Sequence, residues 1–103
     1  MLNAGASKDQ SRNDDATPLY FAAHNGHKEV VELLLNAGAS KDQARNDGTT
    51  SFGVAAHNGN KEVVELLLKA GASKDQAMND GAIPLYIAAQ NGHKEVVELL
   101  LNA

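Results

Sequence analysis

The chain has 103 residues, room for one core but not two, and 43% of them are hydrophobic, an ordinary globular share that argues against disorder. Aromatic residues make up only 4% and tryptophan is absent, so the core has to be built from Ala, Val and Leu. A net charge of −4 with interleaved signs offers no basic stripe for nucleic acid, and the absence of cysteine excludes disulfides, zinc knuckles and thiol nucleophiles.

Met1 is followed by Leu2-Asn3-Ala4-Gly5, which has neither the basic start nor the apolar run of a signal peptide. No stretch approaches the ~18 consecutive apolar residues of a membrane span. A cytoplasmic protein is the default expectation, with the nucleus as the alternative.

An internal repeat organises the chain. Asn25-Gly26 recurs as Asn58-Gly59 and Asn91-Gly92, each step 33 residues, and Ala4-Gly5, Ala37-Gly38 and Ala70-Gly71 keep the same step. Residues 13–45 and 46–78 are identical at 24 of 33 positions, and 79–103 matches 13–37 at 21 of 25. The opening segment 1–12 matches 34–45 at 10 of 12. The expected organisation is a single domain over 1–103: the tail of a preceding repeat at 1–12, repeats at 13–45 and 46–78, and a truncated repeat at 79–103.

In chain order, Thr17-Pro18 predicts the start of a first helix, since Thr caps free amides and Pro suits the first turn. That helix is expected over 18–25, ended by a left-handed Gly26. A second helix is expected over 28–36, with Val30, Val31, Leu34 and Leu35 on one face and Lys28, Glu32 and Asn36 on the wet one. The polar segment 39–48 reads as extended, with Asp47-Gly48 marking a hairpin turn that needs positive φ; Asp80-Gly81 repeats it. The same pattern predicts helices at 51–58, 61–69, 84–91 and 94–102. None is long enough to be stable alone, because helices below ~12–15 residues are marginal in water. Stacking has to hold them. Alanine pairs at 22–23, 55–56 and 88–89 on the first helices, against Leu triplets on the second, predict a curved stack with the alanine layer on its concave side.

The run Asp-Gly-x-x-Pro-Leu-Tyr-x-Ala-Ala-x-Asn-Gly-His-Lys-Glu-Val-Val-Glu-Leu-Leu-Leu from Asp80 to Leu101 resembles the ankyrin repeat. The likeness covers essentially the whole chain. It implies an all-α solenoid of stacked antiparallel helix pairs with projecting β-hairpin loops. It also implies a protein partner, bound at the hairpin tips and the concave helix face, and no catalysis. The positions it marks for contact are Ser11, Asn13, Asp14, Ala16, His24 and Asn25 in the first unit. In the second they are Ala44, Asn46, Asp47, Thr49, His57 and Asn58, and in the third Ala77, Asn79, Asp80, Ala82, Gln90 and Asn91.

The chain departs from the family pattern in places. Tyr20 and Tyr86 stand where the family usually has His, and Asp15 where the other units have Gly. In the middle unit Ser51-Phe52-Gly53-Val54 replaces Pro-Leu-Tyr-Ile, and Asn60 replaces His. Gly53 in a helix interior costs about 1 kcal/mol relative to Ala. Two readings stand: repeat decay, or a small recognition notch between Tyr20 and Tyr86. Restoring Pro-Leu-Tyr is expected to stabilise the fold.

Other chemical signals have plainer explanations. His24 and His27 straddle the break at Gly26, and no His-Glu-x-x-His pattern occurs, so no metal or cofactor is expected. His27 and His93 read as structural or solvated, whereas His24 and His57 divide between concave contact and inert surface. Glu29, Glu32 and their copies neighbour Lys28, Lys61 and Lys94, as on a solvated helix face. The Asn-Gly pairs lack the Lys-Ser/Thr loop of a phosphate cradle. No small-molecule substrate or catalytic residue emerges. The alternative to a partner-binding module is a scaffold without a native partner: a fragment of a longer array, an engineered chain or a degenerate gene. Such a scaffold would form a homo-oligomer through bare terminal faces. Leu99–Leu101 and, at the other end, Leu2, Leu19 and Val30 are the residues expected there.

Overall fold

The computed structural model describes residues 16–103 and, among them, six α-helices and no strand. They are α1 (Pro18–His24), α2 (Lys28–Asn36), α3 (Ser51–His57), α4 (Lys61–Lys69), α5 (Pro84–Gln90) and α6 (Lys94–Asn102). The predicted helices are all present, the first of each pair one residue shorter because Asn25, Asn58 and Asn91 are C-caps. The expected segment 1–12, with Met1, Leu2 and Asp15, lies outside the described residues. No described helix is long and apolar enough to cross a membrane.

Each helix starts and stops for a local reason. The Thr17 hydroxyl accepts the Tyr20 N–H (3.2 Å) and Thr50 that of Gly53 (3.0 Å), each satisfying an amide at the first turn. Ile83 replaces the capping threonine of α5 and makes no such bond. At the other end Gly26 has φ +71°, its N–H reaching the Ala23 carbonyl while the His27 N–H reaches that of Ala22. This pair of hydrogen bonds closes a helix on a left-handed residue, and among the described residues it repeats at Gly38, Gly59, Gly71 and Gly92.

Helices pair within a unit, and like helices stack between units: α1 on α3 on α5, α2 on α4 on α6. The first helices approach one another more closely than the second, as their buried alanines (Ala22, Ala23, Ala55, Ala56, Ala88) allow. One continuous core joins these alanines to Leu19, Val31, Leu34, Phe52, Val63, Val64, Leu67, Val96 and Leu100. Phe52 takes the place of Leu19 and is fully buried, so the middle unit has filled that position rather than lost it.

Two expectations about end faces are corrected. Leu19 is fully buried because it points into the continuous core, and Leu100 is buried for the same reason. The bare positions are Val30 (44% exposed) and Leu33 (61%) on α2, and Leu101 (67%) on α6.

Two glycines of the middle unit differ in kind. A Cβ on Gly59, at φ +70°, would run into the His93 ring of the next unit, as one on Gly26 would run into the Asn60 amide. Gly53 lies in ordinary helix, and a Cβ there meets only Thr50 Oγ1 at 3.5 Å and Thr49 Cγ2 at 3.7 Å, normal contacts. Gly53→Ala is therefore expected to raise stability by about 1 kcal/mol. Gly59→Ala is expected to lower it by more than about 1 kcal/mol, from the positive φ and the clash together. Urea denaturation midpoints of the two variants moving in the same direction would refute this distinction.

Candidate functional site

Two turns project from the stack. In the first, the Arg45 N–H donates to the Thr49 carbonyl (2.9 Å) and the Gly48 N–H to that of Arg45 (2.9 Å), with Gly48 at φ +86°. In the second, Met78 and Ala82 pair at 2.8 Å and Gly81 has φ +89°, as the Asp-Gly signals required. Asp47 and Asp80 brace these turns by accepting the N–H two residues on, from Thr49 (2.9 Å) and Ala82 (3.0 Å). The turns are stitched together: the Asn79 amide donates to the Asn46 carbonyl (2.9 Å) and its backbone N–H to that of Asp47 (3.1 Å).

Between the turns and the first helices runs an open groove of about 500 Å³. Of the residues marked for contact, His24, Thr49, His57, Asn58, Asp80, Ala82 and Gln90 line it. Tyr20, Gly53, Val54, Met78, Tyr86 and Ile87, which the resemblance does not mark, line it as well. The groove follows the first helices, whose Ala22, Ala23, Ala55, Ala56 and Ala88 lie beneath its surface, whereas Ala89 is exposed.

The remaining marked positions are elsewhere. Asn46, Asp47, Ala77 and Asn79 are exposed on the turns and Ala44 is half-buried beside them. Ala16 is 2% exposed and belongs to the core, which corrects its place among surface contacts. Ser11, Asn13 and Asp14 lie outside the described residues. The asparagines after the first helices are occupied by the fold: the Asn25 amide donates to the Phe21 carbonyl, Asn91 to that of Ile87, and Asn58 to that of His24. His93 Nε2 donates to the His57 carbonyl at 2.8 Å, giving it the structural role expected of it.

Across the convex side, Lys28 Nζ lies 3.9 Å from Glu62 and Lys61 Nζ 3.9 Å from Glu95. The recurrence of these residues thus has a use between units, although exposed pairs of this kind are worth only ~0–1 kcal/mol. No group of three or more His, Cys, Asp or Glu residues able to hold a metal occurs among the described residues.

Like helices stacked at a fixed interval, with turns projecting from one edge, define a helical repeat protein. The family model described as ankyrin repeats (3 copies) matches residues 1–78 and 40–103, and the chain belongs to the ankyrin-repeat family. A search of curated proteins found no match. Ankyrin repeats are in general non-enzymatic modules of protein–protein interaction.

Asp47 carries a pH dependence. The Thr49 N–H bonded to its carboxylate holds it below the ordinary carboxylate value, and nearby Arg45 adds to this, against a smaller upward push from partial burial. A group depressed in the folded state contributes stability above its unfolded pKa of about 3.9 and loses it as pH falls through the lower folded value. Asp47→Asn keeps an acceptor for Thr49 but cannot titrate. The variant is expected to lose less stability than the parent between pH 6 and pH 2.5, and parallel midpoint curves for the two would contradict the assignment.

Proposed function

We propose that the chain is a protein-interaction module that receives its partner in the groove along the first helices and at the tips of the turns. One observation carries this reading. The groove collects polar side chains, among them His24, His57, Asp80 and Gln90, that the stack does not bury. Exposed groups gathered in a concavity on a rigid scaffold are the usual arrangement for recognition. The test is capture of binding proteins from cell extract with groove variants as controls. His57→Glu and Gln90→Lys are expected to abolish capture, whereas Lys69→Glu on α4 leaves it intact. Capture that survives both groove substitutions would sink the reading.

A second reading, self-association, is supported by Val30, Leu33 and Leu101 at opposite ends of the stack. Their counterparts Val63 and Val96 are buried, and Leu66 and Leu68 half-buried, where one unit covers the next. A second copy could cover α2 with α6, burying apolar area at ~25 cal/mol per Å² before the cost of association. Such a head-to-tail contact is heterologous and forms open stacks unless the rotation closes. Sedimentation across a range of concentrations is expected to show assembly that Leu33→Lys or Leu101→Lys suppresses. A parent chain that stays monomeric throughout would exclude it.

A further inference from the structure

We propose that the groove contains a pocket at Gly53 that takes one aromatic side chain of the partner, with an adjacent Arg or Lys of the same segment set against Asp80. The inference rests on the groove being the partner surface and adds the chemistry of what enters it.

In the first unit the corresponding place is already filled. Tyr20 is only 6% exposed, its hydroxyl accepts a hydrogen bond from Arg45 Nη1 (3.0 Å), and the guanidinium carbon lies 5.2 Å from the ring centre. A ring and a cation from the chain itself close that position. One period of 33 residues on, both members change together, Tyr20 to Gly53 and Arg45 to Met78. Both replacements line the groove. Where the first unit holds a ring and a cation, the second holds no side chain and a thioether.

Nothing in the backbone or the packing asks for this glycine. Gly53 is absent from the positive-φ residues, and an added Cβ meets only ordinary contacts. A glycine that weakens its helix without a conformational need leaves space instead. The walls of that space suit a ring. Gly53 is buried and forms its floor with the apolar Val54 (5% exposed) and Ile87 (6%), Tyr86 presents a ring that is 60% exposed, and Met78 can reshape itself against an aromatic.

Polarity selects the neighbouring group. Among the described residues lining the groove there is a carboxylate, Asp80, and no Lys or Arg. The Asn58 amide donates to the His24 carbonyl, which turns its Oδ1 toward His57 Nδ1 at 3.2 Å; Asn25, donating to Phe21, does the same for His24 at 3.4 Å. Because an amide oxygen only accepts, Nδ1 of each imidazole donates to it, and in the neutral ring Nε2 is left as an acceptor. The groove therefore offers acceptors and a negative charge, which an Arg or Lys complements. A partner segment carrying an aromatic beside a cation supplies what Tyr20 and Arg45 supply one unit earlier.

The probe is the capped tripeptide acetyl-Arg-Tyr-Arg-amide, titrated into the isotope-labelled full chain and followed by backbone amide shifts. Saturable shifts at Gly53 and Ala82 are expected, with binding about tenfold or more weaker for the Arg-Ala-Arg and Glu-Tyr-Glu peptides. Gly53→Tyr, which restores the residue found at the same place in α1 and α5, is expected to keep the helical signal and weaken binding by a similar factor. Asp80→Asn, which keeps the acceptor for Ala82, is expected to weaken binding several-fold and reduce its salt dependence. No saturable shift at Gly53, or equal binding by Gly53→Tyr, overturns the proposal. If Gly53→Tyr also spares capture from extract while His57→Glu abolishes it, the pocket falls and the groove reading stands. If His57→Glu spares capture, both fall.

Discussion

A helix of seven or nine residues leaves almost as many terminal amides and carbonyls open as it satisfies, and it pays the full cost of nucleation for few bonds. Everything else in this fold answers that constraint. Thr17 and Thr50 close first-turn amides, and left-handed glycines close last-turn carbonyls. The next unit completes what the helix cannot. The carbonyls of His24 and His57, the last residues of α1 and α3, accept from Asn58 and His93 one unit further along. Helix termination and unit stacking are thus one interaction, which is the physical reason a unit of this size gains stability only with neighbours.

That coupling also explains which irregularities the chain carries. Gly26 and Gly59 are fixed twice, by their positive φ and by Asn60 and His93 lying against them. Gly53 is fixed by neither, and Phe52 beside it fills the core completely. The stability gain expected from restoring Pro-Leu-Tyr therefore belongs to positions 51 and 53, where Pro suits the first turn and Tyr the helix interior. Replacing the buried Phe52 by the smaller Leu would remove core volume rather than repair it.

The helices were legible in the sequence because punctuation and periodicity agree: Thr-Pro or Thr-Ser before, Asn-Gly after, and Val-Val-x-x-Leu-Leu between. The turns were legible because Asp-Gly admits few backbone conformations. Contacts between units were not. The Arg45–Tyr20 pair joins residues 25 apart through the fold of a turn over a helix, and no local pattern announces it. The use of Asn25, Asn58 and Asn91 as helix-end donors competes with their use as contacts, and only the placed carbonyls decide between them. Ala16 and Leu19 were misjudged because a repeat pattern states what a position faces in general, whereas burial depends on what covers it in each unit. A signal for the Gly53 site was present all along, in the simultaneous change of residues 20 and 45 at the next step, 53 and 78.

Stacking in this fold draws on two sets of positions that barely overlap with the groove. The second helices are joined through Val63, Val64 and Leu67, and the first through buried alanines and the residues at Leu19 and Phe52. The groove is lined by residues 20, 24, 53, 57, 86 and 90 of the same first helices, of which Tyr20 also packs in the core. Seven residues give a helix about two turns, enough for one face to stack while the other stays free. A change such as Tyr to Gly beside the groove costs helix propensity but leaves in place the buried alanines through which the first helices stack. The nearly invariant second helices and the altered first helix of the middle unit follow from that division. Where the middle unit departs from its neighbours, it keeps the core filled at Phe52 and changes the lining of the groove at Gly53.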